Sequence, residues 1–102
     1  MPSIEELQTM LERDPTDAFV LYALGQEHAR EGDHQAAVDF YRRCLAQDPH
    51  YCYAYFHEAK SLESLGRTNE AQERLREGVR AAREAGDEKA LGELGQYLDE
   101  LS

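Results

Sequence analysis

Four histidines and two cysteines are the side chains in this sequence best suited to bind a metal ion. His50, Cys52 and His57 all fall in one short stretch, QDPHYCYAYFH, at residues 47–57. His50 and Cys52 are too close in sequence to share a helix face, and the chain has no C-x2-C or H-x3-H pair. We therefore predict no metal and no cofactor. We interpret Cys44 and Cys52 as reduced thiols that fill small spaces.

Catalytic chemistry has little support in the residue pattern. A serine nucleophile needs a general base beside it. The serines are scattered and have no such neighbour in the sequence; they are Ser3, Ser61, Ser64 and Ser102. Glycine-rich phosphate-binding signatures are also missing. We predict that the protein is not an enzyme.

The charge balance excludes several classes of partner. Twenty-one acidic and 11 basic residues give a formal charge of −10, and a surface of that sign repels nucleic-acid phosphates.

No apolar run approaches the roughly 18 residues of a membrane span, and no basic-then-apolar leader opens the chain. A length of 102 residues with 41% hydrophobic residues indicates one small globular domain. We expect a cytoplasmic protein with no nucleic-acid or membrane partner.

The chain repeats itself with a period of 34 residues, which determines where the helices must lie. The matching pairs are Asp14-Pro15 with Asp48-Pro49, Gly32 with Gly66, and Ala37 with Ala71. Residues 3–15 align on residues 37–49, so the chain opens with the second half of a repeat unit.

This spacing resembles the tetratricopeptide repeat, a helix–turn–helix unit with the pattern W-x2-L-G-x2-Y, then A-x3-F, then P. The first unit matches it with Leu21-x2-Leu24-Gly25-x2-His28, Ala37-x3-Tyr41 and Pro49. The second matches with Tyr55-x2-Glu58-Ala59-x2-Leu62 and Ala71-x3-Leu75, and has Arg83 in place of proline. With the opening half-unit, the resemblance covers about residues 3 to 84.

The resemblance implies an all-α fold, a right-handed superhelix of antiparallel helix pairs. We predict six helices, near residues 3–13, 17–31, 34–47, 51–65, 68–84 and 87–101. The single domain, residues 1–102, divides into a half-repeat helix at 3–15, repeats at 18–51 and 52–85, and a capping helix at 87–101. The capping helix has an apolar stripe of Leu91, Leu94, Leu98 and Leu101. Because proline is missing at Arg83, we expect the fifth helix to run long.

Small and polar residues fit this pattern at helix contacts and helix ends. Gly25 is small where two helices of one unit approach closely. Gly32 and Gly66 are predicted to end the first helix of each unit in a left-handed conformation. Thr16 or Asp17 is predicted to cap the second helix.

The resemblance also implies a protein-interaction module that binds a peptide or helix of a partner protein on a concave face lined by the first helix of each unit. The residues in the groove-lining columns are Phe19, Tyr22, Ala23, Gln26, Arg30, Tyr53, Phe56, His57, Lys60 and Ser64. Aromatic side chains give large contact area at small entropic cost. We predict aromatic anchors at Phe19, Tyr22, Tyr53, Phe56 and His57, and polar selectors at Gln26, Arg30 and Lys60.

Two alternatives stay open at this stage. The last helix could fold over the groove, so that Leu91 and Leu94 bury Tyr53 and Phe56. The second alternative is a structural role, self-association into a weak homodimer. The opening half-unit lacks a partner helix, which would leave its apolar residues Ile4, Leu7 and Leu11 to be covered.

Glu58 stands where the repeat pattern has an apolar side chain between helices. A buried, unpaired carboxylate is costly, so we expect an ion pair with Arg74 or with His28. A functional carboxylate with a raised pKa is the remaining interpretation, and an enzyme hypothesis rests on it alone.

Overall fold

The computed structural model describes residues 2–102, which form six α-helices and no strand. They are α1 (Ile4–Arg13), α2 (Ala18–Arg30), α3 (His34–Gln47), α4 (Cys52–Ser64), α5 (Thr68–Ala85) and α6 (Glu88–Leu101). The predicted all-α fold is confirmed, and no helix end differs from its prediction by more than one residue. At 18 residues α5 is the longest helix, as the missing proline indicated. Within residues 2–102 no helix is long and apolar enough to cross a membrane.

Each helix packs mainly against its neighbours in the sequence, so the chain forms a stack of antiparallel helices. Alternate helices also meet: α2 touches α4, and α4 touches α6. No close backbone approach joins α6 to α2 in the described residues. The last helix therefore continues the stack and does not fold back across it.

The turns between helices use the residues that the pattern indicated. Gly32 and Gly66 have φ of 86° and 76°, the left-handed conformation that was predicted. The Asp17 carboxylate accepts a hydrogen bond of 3.2 Å from the Val20 N–H, so Asp17, and not Thr16, caps α2. These ends fix where each helix starts and which side chains it presents.

The first helix pair is held by a tyrosine ring that lies on a glycine. Tyr41 of α3 is fully buried, and its ring is 2.5 Å from where a Cβ on Gly25 of α2 would be. The second pair has a similar contact, in which a Cβ on Gly78 of α5 would lie 2.8 Å from the Cβ of Tyr55 on α4. Both contacts depend on the absence of a side chain on one helix, which lets the backbones approach.

Glu58 is fully buried between α3, α4 and α5, and two arginines neutralise it. Arg74 Nε lies 2.9 Å from the carboxylate, which confirms the predicted pair, and Arg42 Nε lies 3.0 Å away. Burial raises the pKa of Glu58, although both arginines act to lower it. The predicted alternative partner His28 is wrong, since its ring stacks on Phe40 at 5.2 Å between centroids. Glu58 thus serves as an ion-pair residue of the core.

Substitution of the glycine beneath Tyr41 tests the close approach of the helices. Gly25→Ala places a methyl group against the buried Tyr41 ring, and we expect it to lower the free energy of unfolding by about 1–3 kcal/mol. Urea denaturation followed by circular dichroism measures the change.

The matched control is Gly95→Ala in α6. A Cβ on Gly95 would meet no heavy atom within 4 Å, so alanine should stabilise the helix by up to about 1 kcal/mol. Equal effects of the two substitutions would contradict the packing described here.

A double-mutant cycle tests the buried ion pair. Arg74→Met removes one partner of the Glu58 carboxylate and should cost about 2 kcal/mol more in the native background than in a Glu58→Leu background. The exposed pair Glu73–Arg76, 3.0 Å apart, is the control, with an expected coupling below about 0.5 kcal/mol. Additive effects of Arg74→Met and Glu58→Leu would show that the two side chains are not coupled.

Candidate functional site

The first helices of the successive pairs, α2, α4 and α6, lie side by side, and we call the surface that they share the groove face. The predicted site residues of α2 and α4 all retain solvent exposure. Among residues 2–102, Phe19 is the most exposed large apolar side chain, at 62%. Arg30 and Lys60 are also exposed, and the half-buried ones are Tyr22, Gln26, Tyr53, Phe56 and His57.

Tyr22 lies at the centre of an aromatic cluster that joins α2 to α4. Its ring centroid is 4.8 Å from that of Tyr51 and 5.9 Å from that of His57. Tyr41 approaches the same imidazole from below, at 6.3 Å. Contacts of this kind fix the orientation of rings that would otherwise rotate freely.

Tyr51 was not among the predicted site residues. It occupies the N-cap position of α4, where a short polar side chain is usual, and it makes no capping hydrogen bond. An aromatic side chain at an N-cap position cannot accept a hydrogen bond from the free N–H groups of the helix end. Its presence there in the sequence was the signal that Tyr51 makes contacts elsewhere.

A hydrogen-bond relay connects the core to the groove face. The Tyr41 hydroxyl donates to Gln26 Oε1 at 2.9 Å, and Gln26 Nε2 donates to the Tyr22 hydroxyl at 3.1 Å. Burial raises the pKa of both phenols, so they stay protonated at neutral pH. Gln26, predicted as a polar selector, is thus also the residue that holds the Tyr22 ring in place.

His57 contributes an uncharged imidazole to this surface. Burial lowers its pKa, and the nearby Lys60 ammonium lowers it further. The ring is therefore neutral at pH 7 and can donate one hydrogen bond and accept another.

Lys60 borders two of the cavities that open on the groove face. One has a volume of about 340 Å³ and lies between α4 and α6. Its lining residues are Phe56, Lys60, Glu93, Gln96, Tyr97 and Glu100. The other, about 320 Å³, lies beside Gln26, Tyr41 and His57.

The helix α6 supplies groove residues that the sequence prediction left out. Leu91-x2-Leu94-Gly95-x2-Leu98 repeats the first half of the unit pattern, but it follows Tyr55 of the second unit by 36 residues. The extra length of α5 increases the spacing from 34 to 36 residues. A search for a 34-residue period therefore does not find this match. The predicted capping helix is thus also the third helix of the groove face.

The last helix, α6, covers part of α4. Leu94 packs on α5, where it lies near Gly78, and the ring that meets Phe56 is Tyr97, at 5.1 Å between centroids. Hydrogen bonding to Glu93 raises the pKa of the Tyr53 phenol, so α6 also reaches the start of α4. Phe56 and Tyr53 are each half-buried by these contacts and partly open to solvent.

Three of the candidate metal and nucleophile residues border the groove face, where they line the smaller cavity; they are His57, Ser61 and Ser64. No group of three histidine, cysteine or acidic side chains suited to a metal ion occurs in residues 2–102. Cys44 and Cys52 are buried thiols, and burial raises the pKa of Cys44 to about 12. The serines have no base beside them in the sequence, but in the fold Ser61 Oγ lies 3.3 Å from His34 Nδ1. Ser61 is nevertheless buried, so this contact satisfies a hydroxyl in the core.

The apolar face of α1 is covered by the chain itself. Leu7 is 1% exposed, packed with Val20, Ala23 and Leu24 of α2. Ile4 and Leu11 are half-buried against the same residues. The expectation of an uncovered face is wrong for Leu7, whereas Ile4 and Leu11 stay partly open to solvent.

Comparison with known proteins gives consistent matches. The family described as tetratricopeptide repeat matches residues 28–94. A TPR repeat-containing protein of Pseudomonas aeruginosa is 29% identical over 98 residues, covering 96% of this chain and 93% of the relative. The photosystem I assembly protein Ycf3 of Acaryochloris marina is 34% identical over 71 residues, covering 69% of this chain and only 43% of the relative. The solution structure of a tetratricopeptide repeat domain protein from Salinibacter ruber has a TM-score of 0.80 and 35% identity, covering 87% of this chain and 90% of that one.

Proposed function

We propose, from the premise that this chain belongs to the tetratricopeptide repeat family, that it is a non-catalytic adaptor that binds a partner protein on the groove face. The family fold is a scaffold for protein–protein interaction. Its concave surface suits an extended peptide or a single helix of a partner.

The observation that carries the proposal is the set of aromatic side chains on the groove face that the core does not fully bury. Phe19 projects from the first turn of α2 with most of its surface in solvent. The rings of Tyr22 and Phe56 are fixed by neighbouring rings, and the side chains of Tyr22, Tyr53 and Phe56 are half-exposed. Rigid, partly exposed rings lose little entropy on binding and bury large areas, which is why they dominate interface energetics.

The polar residues of the groove face have distinct proposed roles. Gln26 orients Tyr22, as described above, and lines the smaller cavity. Arg30 is exposed but paired with the Glu27 carboxylate at 2.6 Å, which holds its guanidinium at the edge of the groove face. Lys60 stands between the two cavities. These side chains would select the partner through hydrogen bonds and charge, while the rings supply contact area.

The relatives are compatible with this role and do not specify the partner. The photosystem I assembly protein is named for an assembly process, which involves other proteins, and the aligned region is less than half of it. We transfer from it only the general property of protein binding.

Alanine substitution at Phe19 separates binding from folding better than substitution of the half-buried rings. Partners are first captured from a lysate of the source organism with the native chain and identified by mass spectrometry. Phe19→Ala should then raise the dissociation constant of a captured partner about tenfold or more, as expected for an aromatic anchor. Because Phe19 makes few core contacts, the melting temperature should fall by less than about 3 °C.

Met10→Ala on α1 is the matched control, since Met10 is also exposed, at 42%, but lies outside the groove face. It should leave binding unchanged. Phe56→Ala should weaken binding as well, with a larger loss of stability because its ring packs on Tyr97. A partner that tolerates Phe19→Ala and Phe56→Ala but loses affinity with Met10→Ala would place the interface elsewhere.

A further inference from the structure

We propose that the cavity between α4 and α6 binds a basic side chain, an arginine or a lysine, of the protein that occupies the groove face. This inference rests on the proposed function and specifies the chemistry of the partner. It is carried by the shape of the cavity, by two carboxylates that form no salt bridge in the described residues and by a pair of aromatic rings.

The cavity has room for one long side chain. Its volume of about 340 Å³ is at the lower end of the range of roughly 300–1,000 Å³ that small-molecule pockets span. Phe56 and Tyr97 form one wall, with ring centroids 5.1 Å apart and planes inclined at 55°. Glu93 and Glu100 project from α6 along the same cavity.

The acidic side chains of this cavity lack the salt bridges that acidic side chains of the neighbouring helix α5 form. On α5 the carboxylates of Glu70, Glu73 and Glu77 each form a salt bridge with an arginine. Glu93 and Glu100 have no salt bridge within residues 2–102. The cavity contains two carboxylates and one ammonium, which leaves it one negative charge. A cation from a partner would neutralise that charge.

The aromatic wall suits a cation for a separate reason. Lys60 Nζ already lies 5.6 Å from the centroid of Phe56, so the face of this ring is turned toward positive charge. The Tyr97 hydroxyl donates a hydrogen bond to Glu63, which fixes the second ring and adds a third carboxylate nearby. A guanidinium can stack on such rings and bind a carboxylate in the same pose, which favours arginine over lysine.

The same groups disfavour an acidic ligand. Lys60 is the single cation of the cavity, and the carboxylates of Glu93 and Glu100 would repel a second acidic group. The overall charge of −10 also favours encounter with a basic partner segment.

The test uses a probe small enough for the cavity alone. The ¹⁵N-labelled protein is titrated with N-acetyl-L-arginine amide, and separately with N-acetyl-L-citrulline amide, its uncharged isostere. The arginine probe should shift the amide signals of residues around Phe56 and between Glu93 and Glu100. One ion pair and one cation–π contact at an exposed site should make its dissociation constant about fivefold lower than that of citrulline.

Three variants determine whether the charge of this cavity is responsible. The double variant Glu93→Gln, Glu100→Gln should abolish the preference for arginine over citrulline. The double variant Glu73→Gln, Glu84→Gln removes the same charge from exposed positions of α5 and should retain the preference. Lys60→Gln removes the competing ammonium and should tighten arginine binding about twofold or more.

Several results overturn the inference. They are equal binding of citrulline and arginine, an absence of shifts around the cavity, and weaker arginine binding by Lys60→Gln. The probe needs no partner protein, so such a failure leaves the proposed function to its own test with Phe19→Ala. A captured partner that depends on Phe19 but is insensitive to the Glu93→Gln, Glu100→Gln variant also contradicts the inference and not the function.

Discussion

The contact of the Tyr41 ring with the backbone of Gly25 is the constraint on which the groove face depends. It sets the distance between α2 and α3, and it directs the Tyr41 hydroxyl toward Gln26. Gln26 in turn binds the Tyr22 hydroxyl, so a packing contact in the core determines how a surface ring is presented. Because the relay is buried on one side and joins three side chains by hydrogen bonds, it restricts Tyr22 more than apolar contact alone would.

The second helix pair obtains its rigidity from charge. Arg42 of α3 and Arg74 of α5 both reach Glu58 of α4, so one carboxylate connects three helices. An apolar residue at this position, like Leu24 in the first pair, could stabilise the fold as well or better. The ion pairs add a geometric constraint, because the hydrogen bonds between a guanidinium and a carboxylate require a defined orientation. They therefore fix the position of α4 relative to α3 and α5. The position of α4 in turn determines where its groove residues lie; these are Phe56, His57 and Lys60.

The sequence predicted the helices well because the 34-residue period is a local property of the chain. Glycines at Gly32 and Gly66, the cap at Asp17 and the apolar columns each act within a few residues of their position. The side-chain contacts were harder to predict because they join helices. Arg42 was not expected as a partner of Glu58, since a repeat pattern specifies which column a residue occupies and not how far its side chain reaches. Likewise α6 was missed as a groove helix because the longer α5 changes the period from 34 to 36.

The three helices of the groove face differ in chemical character, and this difference has a consequence for binding. On α2 the face is aromatic, with Arg30 at its edge; α4 combines rings with Lys60; and α6 presents Glu93 and Glu100. Apolar contacts with rings depend little on the direction in which a peptide binds. Contacts with charges at one end of a groove depend strongly on that direction. Under the proposed function, the aromatic residues would therefore supply affinity, and the acidic helix would decide which way round a partner segment lies. A basic residue at the α6 end would neutralise Glu93 and Glu100, while the reversed orientation leaves both carboxylates without a cationic partner.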